Sequence, residues 1–275
     1  MEPDMSHAAT AFRQLHQGPQ LLRLANAWDA GSARLIESLG ASAVATTSSG
    51  LAWSLGYADG HNMPASAAIA ATQNIVRGLR VPLTVDMENG YSDNPAAVAA
   101  YIMLLSDSGV AGINIEDGGD APELLARKVE AIKNAAVKDG VDIFVNVRTD
   151  VYLRGLAPEG KRVQEVLARA QSYRSAGADG LFVPGICLPE EIRQVAAGAG
   201  LPLNVMDWPG VPPAAELAAL GVRRFSAGSG IAQALWGAAR EMAQGFLDSG
   251  NTGPLAQKAM SYADIQNLFL GRPAK

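Results

Sequence analysis

The chain has 275 residues, a net charge of −5, 48% hydrophobic side chains, 29 Gly, 15 Pro and one Cys. That length suits one α/β barrel, the acidity gives nucleic-acid binding little support, and the single Cys187 excludes an internal disulfide and any cysteine-cluster metal site. No apolar run approaches the roughly eighteen residues of a membrane span, and the N-terminus lacks the basic and apolar segments of a signal peptide, so a cytoplasmic location and no membrane partner are expected.

Apolar runs of strand length recur at 21–26, 43–48, 83–88, 112–116, 143–148, 180–184, 203–206 and 223–227. A polar or Gly-rich turn and a helix-like stretch follow each one, at 32–39, 65–78, 96–108, 123–138, 163–176, 190–197, 214–220 and 231–247. This alternation marks parallel βαβ units. Eight units in about 230 residues predict an α/β chain folded as a (β/α)8 TIM barrel rather than a doubly wound open sheet. Ala176-Gly177-Ala178-Asp179-Gly180 and Leu220-Gly221-Val222 read as helix ends feeding strands. Arg80-Val81-Pro82, Gly109-Val110-Ala111 and Ala178-Asp179, at the opposite strand ends, read as plain turns. No linker or low-complexity segment divides 1–275, so one domain is expected, with a C-terminal extension at 251–275: a turn at 251–254, then a helix near 256–270.

Three consecutive runs close on charge: Val85-Asp86-Met87-Glu88-Asn89-Gly90-Tyr91, Ile113-Asn114-Ile115-Glu116-Asp117 and Val145-Asn146-Val147-Arg148-Thr149-Asp150. Buried charges are costly unless paired or bound to metal, and the C-terminal strand ends of a barrel carry its active site. Asp86 and Glu88 are two apart, so on a strand their side chains share a face. With Glu116 they form an all-oxygen set expected to converge on Mg²⁺ or Mn²⁺ rather than zinc; the alternative is a structural carboxylate network with Arg148. Arg148 could clamp a substrate carboxylate or phosphonate, or pair with Glu116 or Asp150, or both.

Other rim segments carry weaker signals. Thr46-Thr47-Ser48-Ser49-Gly50-Leu51 offers hydroxyls and backbone N–H groups for a carboxylate or phosphate, though such runs are often ordinary turns. Asp59 and His61 lie in a Gly-flanked loop, where His61 is either a general acid–base group or simply solvated. Trp28 could wall the site, and Asp29 is expected to cap the next helix. Ser226-Ala227-Gly228-Ser229-Gly230 has the composition of a barrel anion loop, and Asn204 and Pro184 are candidate pocket residues. All lysines fall in helices, a loop or the tail, which disfavours Schiff-base chemistry, and no Gly-x-Gly-x-x-Gly follows a strand, which disfavours a dinucleotide.

Read together and in order, Asn26-Ala27-Trp28-Asp29-Ala30-Gly31-Ser32-Ala33-Arg34, Ser48-Ser49-Gly50-Leu51, Asp86 to Tyr91, Glu116-Asp117, Arg148-Thr149-Asp150 and Phe182-Val183-Pro184-Gly185 resemble the isocitrate lyase and phosphoenolpyruvate mutase superfamily, in its short mutase-like branch. The resemblance runs from about residue 24 to 247. It implies a barrel with Mg²⁺ near the carboxylates and cleavage or formation of a C–C or C–P bond beside a carboxylate, in small 2-oxo or 2-hydroxy acids. It matches Ser49, Gly50 and Leu51 to the substrate-carboxylate segment. It matches Asp86, Glu88 and Glu116 to the metal acids, with Glu88 where an Asp is usual. Asp59 matches a loop Asp near the reacting group, and Arg148 the substrate Arg. It also implies a homotetramer, or a homodimer, in which the helix after the eighth strand is exchanged with a neighbouring barrel. One departure stands out: Glu116-Asp117 passes through Gly118-Gly119-Asp120-Ala121-Pro122 straight into a helix, without the lid Lys and Cys motif of the lyases and mutases. The expected activity is a C–C lyase whose metal stabilises an enolate. The alternatives are a C–P enzyme (phosphonopyruvate hydrolase or mutase-like) and a 2-oxo-acid-binding barrel with little turnover.

Overall fold

The structure, a computed structural model, describes residues 5–270. Its strands are β1 (Leu22–Leu24), β2 (Asn26–Ala27), β3 (Val44–Thr46), β4 (Leu83–Asp86), β5 (Gly112–Glu116), β6 (Phe144–Arg148), β7 (Gly180–Phe182), β8 (Leu203–Met206) and β9 (Arg224–Ser226). All pair in parallel, in the order β1-β9-β8-β7-β6-β5-β4-β3-β2. β1 and β2 are one strand interrupted at Ala25: the first half pairs with β9 and the second with β3, which closes the sheet into an eight-strand barrel.

The helices are α1 (Met5–Gln17), α2 (Ala30–Ser38), α3 (Ser48–Ser54), α4 (Ala65–Gly78), α5 (Pro95–Asp107), α6 (Pro122–Asp139), α7 (Arg162–Ser175), α8 (Pro189–Gly198), α9 (Ala214–Ala219), α10 (Gly230–Ser249), α11 (Gly253–Lys258) and α12 (Tyr262–Asn267). Strand periodicity decides what faces the barrel interior and what faces the helices. On β5 the residues Ile113 and Ile115 join the apolar cluster of Val98, Ile102, Val129 and Ile132 from α5 and α6. Their neighbours Asn114 and Glu116 therefore point inward, with Asn146 and Arg148 beside them in register on β6. The helices begin as their sequences dictate. Asp29 caps α2 in a capping box with Ser32, and Asn94 caps α5 ahead of Pro95.

Three expectations are corrected, and one element without a counterpart in the sequence reading is added. First, the added element: α1 closes the N-terminal end of the barrel, where Phe12 is buried with Leu22, Leu24, Ala43 and Ala45 and meets Phe144 edge-on at 5.4 Å between ring centroids. Secondly, Ala178-Asp179 is not a plain turn. Asp179 binds Arg13 of α1, Lys133 of α6 and the N–H of Val145, tying three elements together at this end. Thirdly, 48–54 is helical, although Ser and Gly are poor helix formers, because tertiary packing overrides propensity. Fourthly, the tail forms two short helices rather than one. Ala259 is extended and Ser261 caps α12 by accepting from the Asp264 N–H, so the helical hydrogen-bond ladder is broken between them. Arg34 of α2 fastens this tail by donating to the Leu268 carbonyl.

Of the twenty residues of α10 only Ala232 is buried. Leu235, Trp236, Phe246 and Leu247 are all more than half exposed. No helix among the described residues is long and apolar enough to cross a membrane.

Candidate active site

The period-two argument for Asp86 and Glu88 does not hold, because β4 ends at Asp86. Glu88 instead sits in a turn with φ 49°, and Tyr91 follows with φ 57°; both lie in the left-handed region that side chains other than glycine adopt at a cost. The turn is fixed from two sides. Gly90 donates to the Met87 carbonyl at 2.8 Å, and Lys128 of α6, 1% exposed, donates to the Asn89 carbonyl at 2.9 Å. Burial pushes the Lys128 ammonium below its ordinary range, with Asp93 and Asp120 opposing.

The turn aims Glu88 at the 55–64 loop. Its Oε2 accepts the backbone N–H of His61, and the His61 Nε2 lies 3.4 Å away. Its Oε1 and the Tyr91 hydroxyl are both buried without a well-formed hydrogen bond, and they lie near enough to one another for Glu88, after burial itself, to push the Tyr91 phenol up. His61 itself has φ 66°. An open cleft of about 510 Å³ lies beside this contact, lined by His61, Met63, Asn89, Tyr91 and Asp93 among others. Asp59 is solvent-exposed on the same loop, near enough for its charge to act on both Asp86 and Glu88.

Asp86 is brought to the hydroxyl-rich segment. Its N–H donates to Thr46 Oγ1 at 2.9 Å, and its Oδ2 lies 3.4 Å from the Ser48 N–H. Thr47 and Ser49 share a hydroxyl–hydroxyl bond of 3.1 Å, and Leu51 is buried behind them. Gly50 is required by packing: a Cβ there would lie 2.8 Å from both Thr47 Cγ2 and Trp28 Cβ.

Glu116 and Arg148, in register on β5 and β6, form an ion pair of 2.7 Å, and Asp150 grips the same guanidinium through Nε and Nη2 at 2.6 and 3.0 Å. Burial works against the Arg148 charge, but Glu116 and Asp150 outweigh it and hold the group above its ordinary range. Burial pushes the Glu116 carboxyl up to about 8, against the pull of Arg148 and with help from Asp86, Asp150 and Glu88. Asp86 and Glu88 are raised by burial as well. The pairing foreseen for Arg148 is present. Asp117, the neighbour of Glu116, turns away from the rim: it accepts from Arg169 at 2.8 Å, Tyr173 at 2.6 Å and the Asp150 N–H at 2.9 Å, and so braces α7 and the Arg148 loop.

Asn204 is not free to face a ligand. It lies 1% exposed inside the barrel, where its amide donates to the Val205 carbonyl and Ser226 Oγ and accepts from Asn146. Asn146 also donates to Asn114. Pro184 follows β7, and in the 226–230 loop Gly228 lies close against Met206, with φ 57°. Of these interior polar groups the sequence reading singles out Asn204 alone, as a pocket residue, and gives no role to Asn114, Asn146, Arg224 or Lys128. The signal for Asn114 and Asn146 is a lone polar residue inside an apolar run, Ile113-Asn114-Ile115 and Val145-Asn146-Val147.

Among the described residues no three His, Cys, Asp or Glu side chains stand close enough together to hold a metal ion. Glu88 is turned to His61 and Glu116 to Arg148. The donor set nonetheless fits a hard divalent cation. It is all oxygen, Glu88 Oε1 is buried without a well-formed hydrogen bond, and the charges of Asp86 and Glu88 bear on Glu116.

Comparison with known proteins adds to this geometry. The profile of the phosphoenolpyruvate phosphomutase family matches residues 12–247. An uncharacterized protein of Mycobacterium tuberculosis is 37% identical over 258 residues, spanning 93% of this chain and 95% of its own length. Oxaloacetate decarboxylase of Pseudomonas fluorescens is 29% identical over 245 residues, 83% of this chain and 81% of its own. The crystal structure of 2,3-dimethylmalate lyase, a member of the PEP mutase/isocitrate lyase superfamily, superposes with a TM-score of 0.84 at 28% identity, covering 95% of this chain and 94% of that one.

Proposed function

Because the chain belongs to the phosphoenolpyruvate phosphomutase family, we propose that it is a Mg²⁺- or Mn²⁺-dependent lyase cleaving a C–C bond in a small 2-oxo or 2-hydroxy carboxylic acid. The observation that carries this reading is the acidic rim: Asp86, Glu88 and Glu116 on neighbouring strand ends beside Arg148, with one Glu88 oxygen buried without a well-formed hydrogen bond. The names of two relatives, oxaloacetate decarboxylase and 2,3-dimethylmalate lyase, support C–C chemistry, while the phosphomutase name of the family keeps C–P chemistry as the alternative.

In this reading Asp86, Glu88 and Glu116 hold the cation, which when bound supplies Lewis-acid charge beside the substrate's 2-oxo and carboxylate oxygens. Arg148, held in orientation by Asp150, presents Nη1 to a substrate carboxylate once Glu116 turns away. Thr47, Ser49, Gly50 and Leu51 form the wall that seats the other end of the substrate. Asp59 and His61 are the groups placed to move a proton, because both lie on the loop that meets Glu88. The assembly proposed is a homotetramer or homodimer in which α10 packs on a neighbouring barrel.

A second reading, a 2-oxo-acid-binding barrel with little turnover, is favoured by one observation: β5 reaches α6 through residues 117–121 alone, leaving no length for a lid. Turnover assays on 2-methylisocitrate, oxaloacetate, phosphonopyruvate and 2-oxoglutarate, with Mg²⁺ and with EDTA, separate the readings. Metal-dependent C–C cleavage of 2-methylisocitrate or oxaloacetate supports the lyase. Turnover of phosphonopyruvate alone transfers the assignment to C–P chemistry, and binding without turnover supports the second reading.

A further inference from the structure

We propose that Arg224 is a built-in counter-charge for the acidic rim: a cation fixed inside the barrel that offsets the carboxylate of Asp86 from below. Arg224 lies on β9, is 1% exposed, and heads the largest fully buried side chains of the protein. Its Nη2 donates to Asn114 Oδ1 on β5 at 3.1 Å. β9 and β5 lie on opposite sides of the closed sheet, so the side chain crosses the barrel interior. Its Nε and Nη1 have no hydrogen-bond partner, and among the described residues no carboxylate forms an ion pair with it.

Its surroundings differ at the two ends of the barrel, and only one end offers an acid to balance that charge. Towards the N-terminal end it meets the Phe12 ring, 5.9 Å from the guanidinium carbon, and beyond it His16. His16 stacks on Phe144, and burial and Arg224 hold it uncharged at neutral pH, with a pKa of about 3. Towards the C-terminal end, Asn114 is the register partner of Asp86. Asp86 is the acid whose field opposes the burial of Arg224. The partner chain of Asn114, Asn146 and Asn204 consists of neutral amides, which hold the guanidinium in place without neutralising it.

A buried guanidinium with no carboxylate partner is a heavy electrostatic cost, and an apolar side chain of similar size would fill the same space without it. The cost is offset in part by Asp86, whose register partner Asn114 holds the guanidinium and whose charge is the one that favours it. Arg224 is therefore a positioning residue for the rim, acting through Asn114 and through its field rather than by touching a ligand.

The test is a double-mutant cycle in EDTA, so its outcome does not depend on the metal or on turnover. Thermal midpoints are measured for Asp86→Asn in the wild-type, Arg224→Met and Arg224→Lys backgrounds. Mutations that do not interact add. The expected result is that Asp86→Asn is more favourable by roughly 3 °C or more in the Arg224→Met background than in the wild type, a shift reproduced neither in sign nor in size with Lys, which keeps the charge. Equal shifts in all three backgrounds overturn the proposal, as does a Lys background that behaves like Met. If Arg224→Met is insoluble, recovery in the Asp86→Asn double variant supports the proposal, and insolubility of both shows a packing role and overturns it.

Discussion

Arg148 gives Nε and Nη2 to Asp150 and leaves Nη1 to Glu116, at 2.7 Å. One guanidinium thus joins a carboxylate that orients it to a carboxylate proposed to leave it. Asp150 is anchored from behind, since its N–H donates to Asp117, whose other oxygen is held by Arg169 and Tyr173. Glu116 is likewise held by its N–H, which donates to the Glu88 carbonyl at 2.9 Å, but its side chain makes one contact with the guanidinium where Asp150 makes two. Under the proposed function, Glu116 is therefore the carboxylate expected to give way when a cation or substrate occupies the rim.

The protonation of Glu116 sets a pH dependence for the metal-free protein. Burial raises its carboxyl from the ordinary 4.5 to about 8. A carboxyl raised in the folded state stabilises the fold below its unfolded value, and that contribution is lost as pH climbs through the folded value. Asp86 and Glu88 are shifted in the same direction. The thermal midpoint in EDTA is expected to fall between 4.5 and about 8, and Glu116→Gln to flatten part of that fall. A wild-type midpoint that stays level across this range, or rises, contradicts the assignment.

Asp86→Ala is expected to weaken Mg²⁺ binding by at least about 100-fold, because an oxygen-ligated ion loses a direct carboxylate, a larger loss than that of an outer-shell partner. Titration calorimetry measures it. Unchanged affinity in the variant would remove Asp86 from the metal site.

The barrel was legible because each strand carries its own apolar run, and the superfamily because its motifs occur in order. What escaped was set by contacts distant in sequence. Helix α3 is held by Gly50 against Trp28 and by Ala232 of α10, neither of which a local pattern shows. Asp117 and Glu116 are adjacent and chemically alike, yet one braces α7 and the other faces the rim, since successive residues at a strand end point to opposite sides. Arg224 lies within the strand-length run 223–227, but only the closed sheet shows that its side chain crosses the interior.

Gly50→Ala tests the close approach in α3. Its Cβ would lie 2.8 Å from two carbon atoms and 3.3 Å from the Ala232 Cβ, so the helix, the Trp28 loop or α10 must shift. Overpacking of this kind costs about 1–3 kcal/mol. Chemical denaturation should show a loss in that range. No loss would mean that the contact relaxes freely and that Gly50 is not required by packing.

Helix α10 is expected to be covered by another copy of the chain. Were it an ordinary eighth barrel helix, Trp236 would be buried as Ile102 of α5 is, at 0% exposed; instead it is 55% exposed, with Leu235 at 51% and Leu247 at 79%. Apolar side chains on several sides of one helix are costly in water and mark a surface that another surface covers. Exchange of such an element between protomers is a recognised route to closed assemblies. The anchor is in place, because Ala232 seats the first turn of α10 on Gly50 of α3 while the rest extends beyond its own barrel. Light scattering at micromolar concentration should give a multiple of 28.6 kDa. The pair Leu235→Glu and Trp236→Glu, at side chains more than half exposed in the single chain, should lower that mass towards one chain with the barrel still folded by circular dichroism. A mass of one chain for the intact protein would show that α10 stands uncovered and that the proposed exchange does not occur.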